Sequence, residues 1–190
     1  MRRAALAALV LVAGCGTATV APGAPRPRPA PVAPSPARAA FNDADVAFLR
    51  MMIPHHRQGM RIAGLAAERA TRPELRALGA AVAATQGDEV RSMTMWLLAW
   101  DRPVHAAPHD EHARLHATDP ADIDALGGLS GARFEHAFLT LLIAHQHNAV
   151  EMARDESGNG VNPEARDLAR RIDLSRTAQI RQMLGHLDGR

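Results

Sequence analysis

The chain has 190 residues and is 47% apolar but only 3% aromatic, with no tyrosine and no lysine. Its core must therefore be built from Ala, Leu, Val, Ile and Met, which favours helices over sheets. The formal charge of +2 is misleading: five arginines and no acids lie in residues 1–40, leaving seventeen arginines against twenty acids beyond. A mildly acidic folded part argues against nucleic acid as a partner.

Taken in order, residues 1–15 read as a lipoprotein signal peptide. Arg2 and Arg3 precede an apolar run, Ala4 to Ala13, which is too short to span a membrane and of the right length for export. Cys15, the only cysteine, follows Val12-Ala13-Gly14. This resembles the lipobox of bacterial lipoproteins, in which the cysteine is lipidated and the membrane becomes a partner through that N-terminal lipid. A plain signal peptide with an incidental cysteine is the alternative. With one cysteine, no disulfide within the chain or thiolate pair is available. Residues 16–40 hold seven of the thirteen prolines and read as a disordered, semi-rigid linker.

A folded domain is expected over 41–190. Asn42 or Asp43 can cap a helix running to about Ala70, with Pro54 inside it. Pro73, at the first helical position, opens a second helix to about Trp100. Its inward stripe is Leu75, Leu78, Val82, Gln86, Glu89, Met93 and Leu97, so Gln86 and Glu89 need partners. Residues 101–129 read as a connection with one or two helical turns. Ser130 can cap a third helix, Arg133 to about Glu156, and Asn162-Pro163-Glu164 opens a fourth that runs nearly to Arg190.

The chain repeats itself at an offset of 90. Residues 48–97 set against 138–187 give twelve identities without a gap, among them Phe48/Phe138, His55/His145, Pro73/Pro163 and Met93/Met183. Two hairpins, about 42–100 and 130–188, are therefore expected to bury their broad apolar faces against each other. The expected fold is an all-α four-helix bundle with a pseudo-twofold axis.

Within the first helix, MMIPHHRQGM places Arg50, Arg57 and Arg61 on a wet face. Met52 and Gly59 point away from it, with His55 and His56 about 50° to either side of that inward line. Inward imidazoles beside a thioether are the raw material of a soft-metal site, although each residue taken singly reads more readily as core. In a hairpin turning near Thr71-Arg72, residues equidistant from the turn lie level. His55, His56, Met52, Glu89 and Met93 then converge in one layer, and the repeat brings His145 toward it. The expected ligands are His55, His56, His145 and Met52 or Met93, with Glu89 and Gln86 behind them. The alternative is a buried His–Glu hydrogen bond without a metal. His105, His109, His112 and His116, spaced at 4, 3 and 4, are possible accessory metal ligands if that segment is helical.

The Met-x-x-His-His of Met52 to His56 and the Gln-x-x-Glu-x-x-x-Met of Gln86, Glu89 and Met93 resemble the domain-of-unknown-function family 305. The resemblance covers about residues 41–190. It is degraded in the second half, where His-His has become His145-Gln146 and the Gln/Glu pair has become Arg176/Gln179. It implies a ferritin-like shape, export, and copper as the ion, since some members have been linked to copper binding and tolerance.

The expected function is accordingly that of an envelope-anchored copper protein acting in buffering, transport or tolerance, not an enzyme. Di-iron chemistry would require Glu-x-x-His pairs, and none occurs. His-Glu-x-x-His and Cys-x-x-Cys-His are absent too. The reading from another class is a metal-free helical interaction module tethered to the membrane.

Overall fold

The computed structural model describes residues 39–105 and 116–189. Cys15, the signal and linker segments, His109 and His112 lie outside them. Among the described residues there are five helices and no strand: α1 Asp43–Arg69, α2 Pro73–Ala99, α3 Pro120–Gly127, α4 Gly131–Asn159 and α5 Pro163–Leu187. None is long and apolar enough to cross a membrane.

The local signals explain most helix ends. Asn42 and Asp45 form a reciprocal capping box at the start of α1, and α1 runs through Pro54 without interruption. Asn162 caps α5 by accepting from Ala165 N at 3.0 Å. Asp119 does the same for α3, and Ile123 and Leu126 of that helix are buried. Ser130 does not cap α4. The chain instead turns into the helix through Gly131 at φ 57°, a left-handed conformation that glycine adopts without a Cβ clash. This is why α4 starts two residues earlier than the sequence suggested. Nothing stops it before Gly160.

Each hairpin packs along its length, α1 on α2 and α4 on α5, and α1 against α4 joins the two. The offset of 90 reappears in a reciprocal exchange. Asp45 on α1 accepts from the backbone of Val161 and Asn162, at 3.2 and 2.9 Å, in the turn of the second hairpin. Its counterpart Glu135 on α4 accepts from the backbone of Thr71 and Arg72, each at 2.8 Å, in the turn of the first. Glu135 also takes Arg72 Nε at 2.8 Å. Each hairpin thus supplies the acid that satisfies the otherwise orphaned amides at a helix start in the other. Four backbone and side-chain donors hold Glu135 down at about 2 although burial alone would raise it.

The core is divided. One apolar cluster gathers Ile62, Ala66, Leu75, Val82, Phe134, Phe138, Leu142 and Met183. The other gathers Phe48, Leu49, Met52, Ile53, Met93, Leu97, Leu168 and Ile172. Near the middle of all four long helices, the positions between these clusters are polar.

Candidate metal centre

That middle layer is made of His55 and His56 from α1, Gln86 and Glu89 from α2, His145 and Gln146 from α4, and Arg176 and Gln179 from α5. His55, His56, Gln86, His145, Gln146 and Arg176 are all buried, while Glu89 keeps a side-chain exposure of 12%. Each sits where a helical stripe faces inward, so the same periodicity that builds the core delivers the polar groups to it.

The rings of His55 and His145 stack, with centroids 3.8 Å apart and planes 11° from parallel, joining the two hairpins across the pseudo-twofold axis. Gly59 makes this approach possible. A Cβ there would lie 2.7 Å from His145 Nε2 and 2.3 Å from Gln86 Oε1. His145 Nδ1 shares a 2.8 Å hydrogen bond with Thr118 Oγ1. Thr118 is itself held by both amide atoms of Gln58, at 3.0 and 3.1 Å. One nitrogen of His145 is thereby fixed, and Nε2 is left without a hydrogen-bond partner.

His55 Nδ1 and Nε2 and His56 Nδ1 are likewise buried without hydrogen-bond partners. His56 Nε2 lies 2.7 Å from Glu89 Oε2, within hydrogen-bond distance although the ring is not well aligned on that oxygen. The same carboxylate oxygen accepts from Arg176. The amides form a chain beside it: Gln86 to Gln146 at 3.4 Å and Gln146 to Gln179 at 2.5 Å.

Burial, followed by the neighbouring imidazoles, lowers His55 well below the ordinary histidine value. Burial brings His145 down to about 3 and lowers His56 too. All three are neutral at neutral pH, with lone pairs available. Burial would raise Glu89, but His56 and Arg176 outweigh it and leave it lowered.

Met52 and Met93 are fully buried in the apolar cluster bordering the layer. Among the described residues no three His, Cys, Asp or Glu side chains form a ready-made cage for an ion. A metal site here would have to draw on thioether as well as imidazole. A small cleft of about 110 Å³, lined by Met51, Pro54, His55, Gln58, His116 and Ala117, reaches His55 from the surface. A larger groove between α3 and α4, with Leu126, Leu129 and Leu141 in its walls, has none of these converging polar groups.

The accessory histidines do not share a helical face among the described residues, because His105 and His116 lie in bends and turns. The His105 ring is exposed, and only its carbonyl is used, by Arg50 at 2.7 Å. His116 Nδ1 lies 3.8 Å from Glu151.

Three partners were not foreseen from the sequence. Thr118 comes from an irregular segment and left no signal. Gln146 and Arg176 did leave one. Both fall on inward stripes, Arg176 between Ile172 and Ile180, and both occupy the repeat positions of His56 and Gln86. The sequence reading treated them as degraded ligands, whereas the structure uses them as partners.

No functionally curated protein matches the chain. Among solved structures it is similar to a DUF305 fragment from Deinococcus radiodurans, with a TM-score of 0.72 at 29% identity over 80% of this chain and 100% of that one. A DUF305 protein from Streptomyces coelicolor, assigned as secreted, matches with a TM-score of 0.69 at 28% identity, covering 74% and 88%. CopM in its Cu(I)-bound form matches with a TM-score of 0.66 at 32% identity, covering 76% and 96%. CopM is also similar in Cu(II)-bound, silver-bound and apo forms. The family model described as a domain of unknown function, DUF305, matches residues 45–187, and the chain belongs to that family.

Proposed function

We propose that this chain is an exported copper-binding protein that buffers, carries or confers tolerance to copper. It takes Cu(I) in the middle layer and is fixed to the membrane by a lipid on Cys15. The observation that carries the reading is the set of five buried imidazole nitrogens without well-aligned hydrogen bonds, on His55, His56 and His145. Buried polar atoms are normally satisfied, and neutral imidazoles beside thioethers are the donors that suit a soft monovalent ion. The proposed ligands are His55, His56 and His145 with Met52 or Met93. Glu89 orients His56, and Thr118 orients His145. Similarity to CopM, crystallised with Cu(I), Cu(II) and silver, supports copper. Export is supported by similarity to the secreted Streptomyces coelicolor protein.

The test is a Cu(I) titration of the chain against a competing chromophoric chelator, beside the variant in which His55 and His56 are both alanine. The variant should lose tight binding and keep its helical circular dichroism. Undiminished binding would put the site elsewhere, with His105, His109, His112 and His116 next in line.

One observation favours the metal-free interaction module. Glu89 meets both His56 and Arg176, so its charge is already matched by the guanidinium. A parent chain with no measurable Cu(I) affinity would favour that second reading.

A further inference from the structure

Arg176 is where the second hairpin departs most sharply from the first. Position 176 stands at an offset of 90 from Gln86, so the repeat has a guanidinium where it elsewhere has an amide. The side chain is fully buried. It donates to Glu89 and, at 3.0 Å, to Ser175 Oγ, while its Nε has no hydrogen-bond partner. A buried ion pair is weak evidence for a stabilising role, because desolvation offsets most of the attraction and an apolar pair of similar volume is often as stable. The charge therefore calls for an explanation other than stability.

Its position supplies one. The layer holds a single anion, Glu89, and a single cation, Arg176, among neutral amides and imidazoles. Glu89 touches His56 alone among the three rings. The guanidinium donates to the same Glu89 oxygen that lies 2.7 Å from His56 Nε2, which sets its charge next to that ring. We propose that Arg176 is a specificity-determining residue. By cancelling Glu89 and placing a fixed positive charge beside His56, it admits a monovalent soft cation and rejects divalent ones. This rests on the metal-binding reading above.

The physics is one of charge. An ion entering this layer finds no net negative charge to meet it. The repulsion from the guanidinium doubles from a monocation to a dication, and the cost of leaving water grows with the square of the charge. Without Arg176, the Glu89 carboxylate would face His56 uncompensated. Imidazole with carboxylate is a donor set that suits zinc and other dications. Gln146 and Gln179 remain neutral in either case.

The experiment uses the full chain and three variants that change only the charge of the layer. Arg176→Gln installs the amide the first hairpin already has and leaves the layer at −1. Glu89→Gln leaves it at +1, and the double variant returns it to zero. Each is titrated with Ag(I) and with Zn(II), and Co(II) absorption reads out the coordination of a dication. The parent should bind Ag(I) in clear preference to Zn(II). Arg176→Gln should raise Zn(II) affinity about tenfold or more and Ag(I) affinity by less, since a unit charge a few ångströms away in a partly buried site is worth at least that factor. The double variant should return to the parent's preference.

Should Arg176→Gln not fold, the comparison of Glu89→Gln with the double variant decides. Ag(I) must bind more weakly to Glu89→Gln, and equal affinities overturn the proposal. A folded Arg176→Gln with an unchanged Zn(II)-to-Ag(I) ratio overturns it as well, while leaving the metal site standing. A parent that binds no Ag(I) overturns both.

Discussion

Glu156, near the end of α4, makes the stability of this bundle depend on pH in a direction that can be worked out beforehand. The residue is 2% exposed, and neither carboxyl oxygen has a hydrogen-bond partner. It lies under the backbone of Gly160 close to Asp45. A Cβ on that glycine would fall 2.3 Å from Glu156 Oε1 and 2.8 Å from Asp45 Oδ1. Burial first, then the adjacent Asp45 carboxylate, push Glu156 up to about 9, against a smaller pull from Arg166. The folded chain therefore keeps a proton that the unfolded chain releases above its ordinary value of 4.5. Stability is fully present below pH 4.5 and is lost as pH rises through the folded value.

The slope is about 1.4 kcal/mol per pH unit, so the loss by pH 7 comes to roughly 3 kcal/mol. Glu156→Gln keeps the shape and removes the proton. It should stabilise the bundle by about that amount at pH 7 and leave it nearly unchanged at pH 4.5, a rise in melting temperature of roughly 6–10 °C at neutral pH for a domain of this size. Urea melts of parent and variant at pH 4.5, 6, 7 and 9, followed by circular dichroism, give the difference curve, in which the titrating groups away from the Glu156–Asp45 pair cancel. Parallel curves for the two proteins, or a variant less stable at pH 7, would refute the assignment of the proton to Glu156.

Two further outcomes are expected. Gly59→Ala forces the side-chain ends of Gln86 and His145 to move, which should cost about 1–3 kcal/mol and weaken Ag(I) binding at least tenfold. Unchanged affinity would show that His145 Nε2 is not a ligand. Cys15→Ser should release the protein from the membranes of its native host, as read by fractionation, and persistent membrane association would remove the lipid anchor from the proposal.

The sequence made the fold legible because two independent signals agreed. The apolar stripes gave the helices, and the offset of 90 showed that there were two hairpins of one design. It located the layer too, since His55, His56, Glu89 and His145 interrupt apolar stripes at nearly the same distance from the turns, with Gln86 one helical turn from Glu89. What it did not give was who partners whom. Glu89 Oε2 lies 2.7 Å from His56 Nε2, and Arg176 shares the same oxygen. Helical periodicity specifies which way a side chain points and at what height, not which of several groups at that height it reaches. Thr118 was beyond reach for a different reason. Its 2.8 Å contact with His145 depends on an irregular connection whose path is fixed by tertiary packing, here by Gln58, and not by local propensity.

The pseudo-twofold symmetry is kept and broken in a telling pattern. At the ends of the bundle it is kept in chemistry as well as in shape: Asp45 and Glu135 do the same work on opposite turns. Along the walls it is kept in volume, with Met93 opposite Met183 and Phe48 opposite Phe138, all buried. In the middle layer it is broken at His56/Gln146, Gln86/Arg176 and Glu89/Gln179, while His55/His145 survives. Packing demands alone would treat the two halves alike, since equivalent positions in a symmetric bundle have equivalent space. An asymmetric set of charges and donors around a symmetric pair of stacked imidazoles is the arrangement expected where one site serves the whole bundle. In the proposed site the first hairpin would supply most of the donors, and the second His145 and the Arg176 charge.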